Sequence, residues 1–430
     1  MRAVRRFSSS AGDPLKTLFT SLPIRYLYNC RESAFDPKTK QRYNPTNDSS
    51  SIPSSIVSVL PTPNGAAVIF NNDTTTTHFY PQSFIDQINP NDRYPSRILW
   101  HKSPTEFSPH HHATVDFNLI SSPPQSQEQA QISENPEIVR CMSLFLKFGL
   151  VVVKNVPTSS PSPSPSNPNS WPIEEISLLA SALSQGSKTS LHKTLSAPHY
   201  KRPGGVLHTL YGGIWSTKSD DDTFSTSSEA DSAYTSDPLP LHTDLTYALI
   251  PPEIQLFLCK KPASAKNAGN SSFSDAFSAL EILRTQDVNS FNILTNGDGK
   301  SGVRFRYWSV DKENGFHLMN GGRGDFVGTK GVGEGIEIVR HNPLDRMEVK
   351  LKSEPEYEML DAALNKFEKI LDQNKVNFKL EEGEAVLVHN HRVLHGRESW
   401  EGADRDRELL GCYIGAGEVM SRWRVENLVE

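Results

Sequence analysis

Short runs of β-branched and apolar residues recur along the chain from residue 149 onward and constrain its fold more than any other feature. They include GLVVVKNV from residue 149, EIQLFLC from 253, EAVLVHN from 384 and RELLGCYIG from 407. Each run has the length of a strand, and the acidic turn EEGE separates AVLVHN from a further short run, VNFKL, which begins at residue 376. With few helices between them, the runs predict an antiparallel barrel or jelly roll rather than alternating βαβ units.

Helical segments flank these predicted strands. The segment ENPEIVRCMSLFLKF from residue 134 leads directly into GLVVVKNV, and EEISLLASALSQ and DAFSALEILR have apolar residues at helical spacing. A further helix, EMLDAALNKFEKILDQ, is predicted to pack on a sheet through Met359, Leu360, Ala363, Leu364, Phe367 and Leu371. The predicted fold class is mainly β with flanking helices.

The order of these segments predicts two domains. Residues 13–100 contain the candidate strands SSIVSVLP and GAAVIFNN, separated by turn-rich segments such as NNDTTTT, and form a small β-rich N-terminal domain. An irregular linker is predicted at 101–135, followed by the jelly-roll domain at 136–430. Insertions near 157–171 and 216–229 are rich in Ser, Pro or Asp, and we expect them to be disordered because they offer little apolar surface.

The first twelve residues, MRAVRRFSSSAG, contain arginines and serines but no acidic residue. This composition is typical of a mitochondrial transit peptide, and it predicts a location in the mitochondrial matrix. The alternative is a disordered basic tail on a cytoplasmic protein.

Charge and cysteine usage exclude several classes of protein. The net charge is -6 and no cluster of Lys and Arg follows a helix face, so a nucleic-acid partner is not expected. No apolar stretch approaches the roughly 20 residues that a membrane-spanning helix needs. The four cysteines lie far apart, which excludes a zinc ribbon and indicates reduced thiols.

Three consecutive histidines occur at 110–112. Adjacent side chains on a flexible backbone point apart and cannot share one metal ion, so these residues favour a surface loop over a metal site.

The segment PLHTDLTY suggests a metal site, because His242 and Asp244 stand two residues apart. On a strand, this spacing places both side chains on one face. A second imidazole would complete a facial triad of two histidines and one carboxylate, which suits non-haem iron. His389, His391 and His395 are all candidates. They are predicted to share one face of a single strand, so their spacing alone does not choose among them.

Several blocks together resemble the iron(II)- and 2-oxoglutarate-dependent dioxygenases of carnitine biosynthesis, trimethyllysine dioxygenase and γ-butyrobetaine dioxygenase. The blocks are AYTSDPLPLHTDLTY, IVRHNPLDR, HNHRVLHGRESW and RELLGCYIGAGEVMSRWRV, with FGLVVVKNVP, TLYGGIWS and YNCRESAFDPKTKQR further upstream. The resemblance implies a double-stranded β-helix, iron(II), 2-oxoglutarate and O2 as cosubstrates, and ascorbate as reductant. It selects His395 as the third metal ligand. It also assigns the far carboxylate of 2-oxoglutarate to Arg407 rather than to its neighbour Arg405.

Substrates in this family carry a trimethylammonium group, which has no N–H donor and is held by aromatic faces. The resemblance places such a cage at Tyr211, Trp215, Tyr234 and Tyr413. An aspartate at Asp231 would pair with the α-ammonium of trimethyllysine and repel a lone carboxylate, and Asn342 would meet the substrate carboxylate. The implied function is therefore hydroxylation of trimethyllysine at C3. The alternatives are γ-butyrobetaine dioxygenase, which the C-terminal EVMSRWRV resembles more closely, and a non-catalytic protein that binds quaternary ammonium groups.

The N-terminal region departs from the family pattern. γ-Butyrobetaine enzymes carry a structural zinc there, but this chain keeps only Cys30 and His78, and Glu32 and Phe35 occupy other ligand positions. Two protein ligands are too few for a closed site, so we expect no structural zinc and a buried Cys30.

The predicted partner is a small molecule with a trimethylammonium group. The sequence does not decide between a monomer and a homodimer.

Overall fold

The computed structural model describes residues 14–34, 52–81, 84–85, 97–100, 107–121, 136–158, 175–184, 207, 213–217, 238–248, 250–264, 269–295, 303–305, 307–311, 315–319, 323–324, 328–329, 335–336, 338–347, 351–399, 407–417 and 419. The chain divides into two compact units, residues 1–95 and 96–428. The predicted transit peptide and most of the two predicted insertions lie outside the described residues.

The first unit contains a three-stranded antiparallel sheet in the order β1-β2-β3. Its elements are α1 (Pro14–Thr20), α2 (Ile24–Cys30), β1 (Ile56–Thr62), β2 (Gly65–Phe70) and β3 (Asp73–Pro81). Phe19, Val68, Phe70 and Tyr80 are fully buried in its core. The segment NNDTTTT was predicted as a turn, but its threonines belong to β3 because β-branched residues suit a pleated strand.

The second unit contains the remaining elements. Its first half comprises α3 (Pro109–His112), β4 (Thr114–Asp116), α4 (Phe117–Ser121), α5 (Pro136–Phe148), β5 (Leu150–Lys154), α6 (Glu175–Ser184), β6 (Ile214–Ser216), β7 (Leu239–His242), β8 (Ile254–Lys261), β9 (Ser271–Asp275), α7 (Ala276–Gln286) and α8 (Val288–Thr295). The second half comprises β10 (Val303–Phe305), β11 (Tyr307–Asp311), β12 (Gly315–Met319), β13 (Arg323–Gly324), β14 (Gly328–Thr329), β15 (Gly335–Ile336), β16 (Arg346–Met347), α9 (Glu354–Gln373), β17 (Val376–Phe378), β18 (Ala385–His389), β19 (Val393–Arg397) and β20 (Glu408–Ile414).

Residues 107–121 correct the predicted irregular linker at 101–135, because they form α3, β4 and α4. Strand β4 pairs in parallel with β5. Val115, Phe117 and Ile120 are buried, and the burial of these apolar side chains holds the segment in the fold. The rest of the predicted linker lies outside the described residues.

Two sheets form the body of this unit, one in the order β17-β9-β19-β7 and the other β4-β5-β18-β8-β20-β6. Val386 and Val388 on β18 pack in one cluster with Phe273 and Val393 of the other sheet. Side chains alternate between faces along a strand, so the sheets face each other across this cluster. This two-sheet arrangement agrees with the predicted jelly roll, and residues 303–347 add small two- and three-stranded sheets.

Helices cover the outward faces of the two sheets. Helices α5 and α6 pack with Leu387, on the outer face of β18, and α7 and α9 pack with Leu394 of β19. Of the apolar residues predicted on α9, Met359 is 53% exposed, so its predicted burial was wrong; the other five are buried. Among the described residues, no helix has the length and apolar character needed to cross a membrane.

A buried ion pair fixes the start of β19, the strand that carries His395. Arg392 is 1% exposed, and its Nε and Nη2 donate to the two carboxylate oxygens of Asp275 at 3.1 and 2.8 Å. Arg392 also donates to the carbonyls of Ile98 and Lys147. The Asp275 carboxylate accepts from the Phe277 backbone N–H at the start of α7. A buried charge is tolerated when it is paired and hydrogen-bonded in this way.

Candidate metal centre

Three predicted ligands meet where β7 lies against β19. His242 at the end of β7 is the register partner of His395 on β19, and their ring centroids are 4.3 Å apart. Asp244 follows β7 after one residue. Its Oδ1 lies 3.3 Å from Nε2 of His242 and 3.5 Å from Nε2 of His395. The three ligand atoms lie within 4.8 Å of one another, and in the described part of the chain no other such group of three His, Cys, Asp or Glu was found.

The backbone around Asp244 is held in an uncommon conformation. The next residue, Leu245, has φ 55°, a left-handed value that non-glycine residues rarely adopt. The Asn390 side chain accepts from the Asp244 N–H at 2.8 Å and donates to the carbonyls of Asp244 and Pro252 at 3.1 and 2.9 Å. This amide therefore fixes the turn that aims the Asp244 carboxylate at the two histidines.

The second oxygen of the Asp244 carboxylate is held by side chains of the six-stranded sheet. Tyr413 Oη donates to Oδ2 at 2.6 Å, and Gln255 Nε2 donates to the same atom. Oδ1 is thus left facing the histidines. Hydrogen bonds to the remaining oxygen of a ligating carboxylate orient it for the metal.

The charges of these groups are strongly coupled. Burial raises the pKa of Asp244, but His395, His242 and the Tyr413 hydrogen bond together outweigh this and hold that pKa well below its usual range. Burial and the neighbouring His242 lower the pKa of His395 to about 3. For His242, burial lowers the pKa, but the Asp244 contacts, the Pro240 carbonyl and Asp345 outweigh it, so the net pKa is raised.

The donor set fits a divalent metal. The Pro240 carbonyl can only accept, so the His242 Nδ1 at 2.8 Å carries the proton and its Nε2 lone pair is directed at the site. Two imidazole nitrogens and one carboxylate oxygen form the facial arrangement that suits non-haem iron(II) and leaves coordination positions open.

A cavity of about 100 Å³ lies beside these ligands. Its apolar walls include Phe257, Phe273 and Leu409, and its polar lining includes Arg407. Arg407 directly precedes β20 and is 7% exposed, and burial lowers the pKa of its guanidinium. The structure thus places Arg407 in the same cavity as the metal ligands. Arg405, the alternative candidate for binding this carboxylate, lies outside the described residues.

The other two candidate histidines are not part of this group. The sequence was interpreted as placing His389, His391 and His395 on one strand, and this was wrong, because residues 390–392 form a turn between β18 and β19. The His389 ring stacks on Phe145 with centroids 5.3 Å apart. His391 Nε2 donates to the Pro251 carbonyl at 2.8 Å.

Of the predicted aromatic cage, Trp215 lines the cavity and lies 4.7 Å from the Tyr413 ring. Trp215 on β6 pairs with Gly411 on β20, and a Cβ at Gly411 would lie only 2.4 Å from the indole. Glycine at this position therefore lets the indole lie flat against the strand. Tyr413 is 1% exposed, and its hydroxyl donates a hydrogen bond to the Asp244 carboxylate.

Three further predicted substrate residues, Tyr211, Asp231 and Tyr234, lie outside the described residues. Asn342 donates to the Asp345 carboxylate at 2.7 Å and accepts from the Leu344 backbone N–H at 3.0 Å. It is not among the described residues that line the cavity, so its contact with substrate stays a prediction.

Two further candidate sites can be located. Residues 110–112 belong to the short helix α3 rather than to a loop, and His110 contacts Glu384 at 3.3 Å and the Phe378 ring. Cys30 is half-buried rather than buried, and the His78 ring lies against Tyr28. The absence of an N-terminal zinc stays a prediction.

Sequence reasoning missed Gln255, Asn390 and Arg397, and it did not foresee the Tyr413 contact with Asp244. Gln255 could have been noticed, because it is the one polar residue inside the apolar run IQLFLC and is fully buried. A buried polar side chain in such a run needs a partner. Asn390 and Arg397 gave no comparable signal, because each follows a histidine or glycine in an already polar segment.

Comparison with known proteins gives several relatives. The chain is 31% identical over 232 residues to dioxygenase str8 of Strobilurus tenacellus, covering 52% of this chain and 50% of that protein. It is 28% identical over 228 residues to the mitochondrial trimethyllysine dioxygenase of Gallus gallus, covering 52% and 50%. It is also 28% identical over 231 residues to the γ-butyrobetaine dioxygenase of Homo sapiens, covering 52% and 55%. The chain thus spans about half the length of the curated relatives it matches.

The family described as taurine catabolism dioxygenase TauD, TfdA family, has a model that matches residues 130–413. This range includes β5, β7, β8, β18 and β19 and nearly all of β20. It also includes Arg407 and the three side chains that could hold a metal ion, His242, Asp244 and His395. The chain belongs to the TauD/TfdA family of dioxygenases.

Proposed function

We propose that this protein is an iron(II)- and 2-oxoglutarate-dependent dioxygenase that hydroxylates trimethyllysine at C3 and yields succinate and CO2. The observation that carries the proposal is the convergence of His242, Asp244 and His395 on one point beside a cavity that also contains Arg407. Iron(II) bound there would activate O2 and couple decarboxylation of 2-oxoglutarate to C–H hydroxylation. Ascorbate would keep the iron reduced.

The residues of the chain have separate parts in this reaction. His242 Nε2, Asp244 Oδ1 and a nitrogen of His395 would hold the metal. The Arg407 guanidinium would receive the far carboxylate of 2-oxoglutarate through two charge-assisted hydrogen bonds. The apolar lining, including Phe257, Phe273, Leu380 and Val386, would exclude water from the reacting groups. In such surroundings, the interaction between a guanidinium and a carboxylate is stronger than in water.

The substrate assignment is supported by chemistry and by the relatives. A trimethylammonium group needs aromatic faces, and the Trp215 indole lines the cavity. The predicted pairing of Asp231 with an α-ammonium favours trimethyllysine over γ-butyrobetaine, because γ-butyrobetaine has only a carboxylate at that end. A related protein from Gallus gallus bears the name trimethyllysine dioxygenase, mitochondrial, which agrees with the proposed mitochondrial location.

γ-Butyrobetaine hydroxylation is the second candidate. The γ-butyrobetaine dioxygenase of Homo sapiens has the same 28% identity to this chain as the trimethyllysine enzyme of Gallus gallus. Sequence identity thus does not separate the two substrates. They differ at the end away from the quaternary nitrogen, so the contacts at that end decide between them.

The deciding experiment is 2-oxoglutarate turnover by the full chain with iron(II), using trimethyllysine and γ-butyrobetaine in parallel. Succinate and the hydroxylated product are both quantified. Unmethylated lysine is the control for the quaternary group, and the His242→Ala variant is the control for metal-dependent turnover. Faster hydroxylation of γ-butyrobetaine would replace the proposed substrate by the second candidate. Iron-independent succinate formation would remove the proposal altogether.

A further inference from the structure

The cavity beside the metal ligands contains a second arginine, Arg397, to which the family resemblance gives no role. Arg397 ends β19 two residues after His395, so both side chains leave the same face of the strand. They are 5% and 8% exposed, and both line the cavity. We propose that Arg397 binds the far carboxylate of 2-oxoglutarate together with Arg407. This inference rests on the proposed function.

The two arginines reach the cavity from opposite walls. Arg397 belongs to the four-stranded sheet, and Arg407 stands immediately before β20 of the six-stranded sheet. A carboxylate bound between them has two oxygens with about four lone-pair sites, enough for both guanidinium groups. The metal ligands lie on the same cavity surface, so a molecule with two carboxylates could meet the metal at one end and the arginines at the other.

The backbone on either side of Arg397 is closely constrained. A Cβ at Gly396 would lie 2.7 Å from the Leu239 carbonyl oxygen, so only glycine lets β7 approach β19 this closely. The register between β7 and β19 shifts between His395 and Arg397, which makes a local irregularity in the pairing. On its other side, Arg397 pairs regularly with Ser271 of β9. The extra residue of this irregularity lies on β7, because Leu239 and His242 are three residues apart while their partners Arg397 and His395 are two apart. Strand β19 itself stays regular, so Arg397 keeps the face of His395.

The charge in the cavity agrees with an anionic ligand. Asp244 is the only acid among the described residues that line it, and its oxygens are directed at the two histidines, Tyr413 and Gln255. Two guanidinium groups therefore share a mostly apolar cavity with one carboxylate. A dianionic cosubstrate could contact the metal and both arginines, whereas a 2-oxo acid with one carboxylate would contact only the metal.

The test compares two ligands that differ by the far carboxylate. Dissociation constants for 2-oxoglutarate and for 2-oxovalerate are measured anaerobically with the full chain and iron(II), by titration calorimetry. We expect Arg397→Gln to weaken 2-oxoglutarate binding about ten- to hundredfold and to change 2-oxovalerate binding less than about twofold. Arg397→Lys keeps the charge and loses the planar fork, so its dissociation constant for 2-oxoglutarate should lie between those of wild type and Arg397→Gln. Arg407→Gln is the positive control, and Arg304→Gln, an exposed arginine on β10, is the matched neutral control.

Equal weakening of both ligands by Arg397→Gln would overturn the inference, because it would show a general disturbance of the site. Unchanged binding of both would also overturn it. If Arg397→Gln does not fold, as judged by thermal melting, the same comparison of ligands is made with Arg397→Lys. Failure of the proposed function is a different result: wild-type protein would then not bind 2-oxoglutarate in a manner that depends on His242 and Arg407.

Discussion

Two groups of histidines and a carboxylate lie near the β18–β19 turn, and they differ in whether their ligand atoms could hold one metal ion. His395 with His242 and Asp244 brings three ligand atoms within 4.8 Å of one another. His389 and His391 lie only a few residues earlier, and Glu253 stands beside His389 with its Oε1 3.6 Å from Nε2. The residue types match those of the metal group. However, the two rings are 6.1 Å apart, and His391 Nε2 donates to a backbone carbonyl.

The difference lies in the directions of the donor atoms. His395 points into the space between the sheets from the middle of β19, opposite His242. His389 ends β18, where its ring stacks on Phe145 of α5, on the helical side of the six-stranded sheet. The turn at 390–392 separates these surroundings within a few residues. Residue type and sequence spacing are therefore insufficient to define a metal site, because ligand atoms must also converge.

The largest expected effect is the loss of a metal ligand. His395→Ala should reduce iron(II) affinity by more than about hundredfold, because even changes to groups behind a ligand cost about 10- to 100-fold. His391→Gln, which keeps a donor for the Pro251 carbonyl, should retain stoichiometric iron. Both are measured by anaerobic titration of iron(II) with 2-oxoglutarate present, following the weak visible charge-transfer band. Equal losses in the two variants would contradict the distinction between the groups.

A smaller effect is expected from Asn390, which joins the two groups. Its side chain is 1% exposed and bonds to the backbone of Asp244 and to the Pro252 carbonyl. Asn390→Ala leaves these backbone groups unsatisfied, so the free energy of unfolding should fall by about 1–3 kcal/mol. Iron affinity should fall about tenfold.

The control for this change is Asn377→Ala, which removes an exposed amide bonded to Glu398. It should alter neither the urea midpoint nor iron binding appreciably. If Asn390→Ala lowers stability and leaves iron affinity unchanged, the amide stabilises the turn without aiming Asp244.

The strands and helices of the second unit were largely predictable from the sequence, because apolar runs such as LVVV and AVLV have few alternatives to a buried strand. Errors arose where a segment depends on tertiary partners. Residues 107–121 looked irregular because their buried apolar side chains, Phe107, Ala113, Val115, Phe117 and Ile120, are scattered and follow neither a strand nor a helix period. The turn at 390–392 was missed because HNHRVLH alternates without a glycine or proline.

The grouping of the candidate metal ligands could be predicted in part. His242 and Asp244 were paired by strand spacing, but Asp244 lies in the turn after β7, and it is this turn that brings its carboxylate to His242. His395 required either the family resemblance or the pairing of β7 with β19. The groups that support Asp244 could not be predicted in the same way. Gln255 and Tyr413 come from two strands separated by more than 150 residues, and only the register of β8 with β20, which pairs Tyr413 with Gln255, places them side by side.

Tyr413 allows a finer test, because it was predicted to bind substrate and is found to bond to Asp244. Tyr413→Phe keeps the ring and removes the hydrogen bond at 2.6 Å. We expect iron affinity to fall about three- to tenfold, with little change in KM for trimethyllysine. Trp215→Leu should give the reverse, a raised KM and unchanged iron affinity, because its indole faces the cavity. A raised KM in Tyr413→Phe without loss of iron affinity would restore the predicted substrate role.

The smallest effect is expected in the pH dependence of stability of metal-free protein, where the two histidine groups should behave oppositely. Burial, together with His391, Arg392 and Arg97, lowers the pKa of His389 well below 6.5. The carboxyl facing it, Glu253, has a pKa raised by burial. The unfolded chain therefore takes up the His389 proton first, and stability is lost as pH falls below about 6.5. His242 has a raised pKa and stabilises the fold below about 6.5, with that contribution lost as pH rises through its folded pKa.

Urea unfolding of metal-free protein at about pH 5 and about pH 7.5 separates these contributions. In His389→Gln, the loss of stability on acidification should be smaller than in wild type, because the variant has no imidazole to protonate on unfolding. In His242→Gln, the loss should be larger, because the variant lacks the imidazolium paired with Asp244. Identical pH dependence in wild type and both variants would mean that neither group is coupled to folding. The contrast between them would then rest on geometry alone.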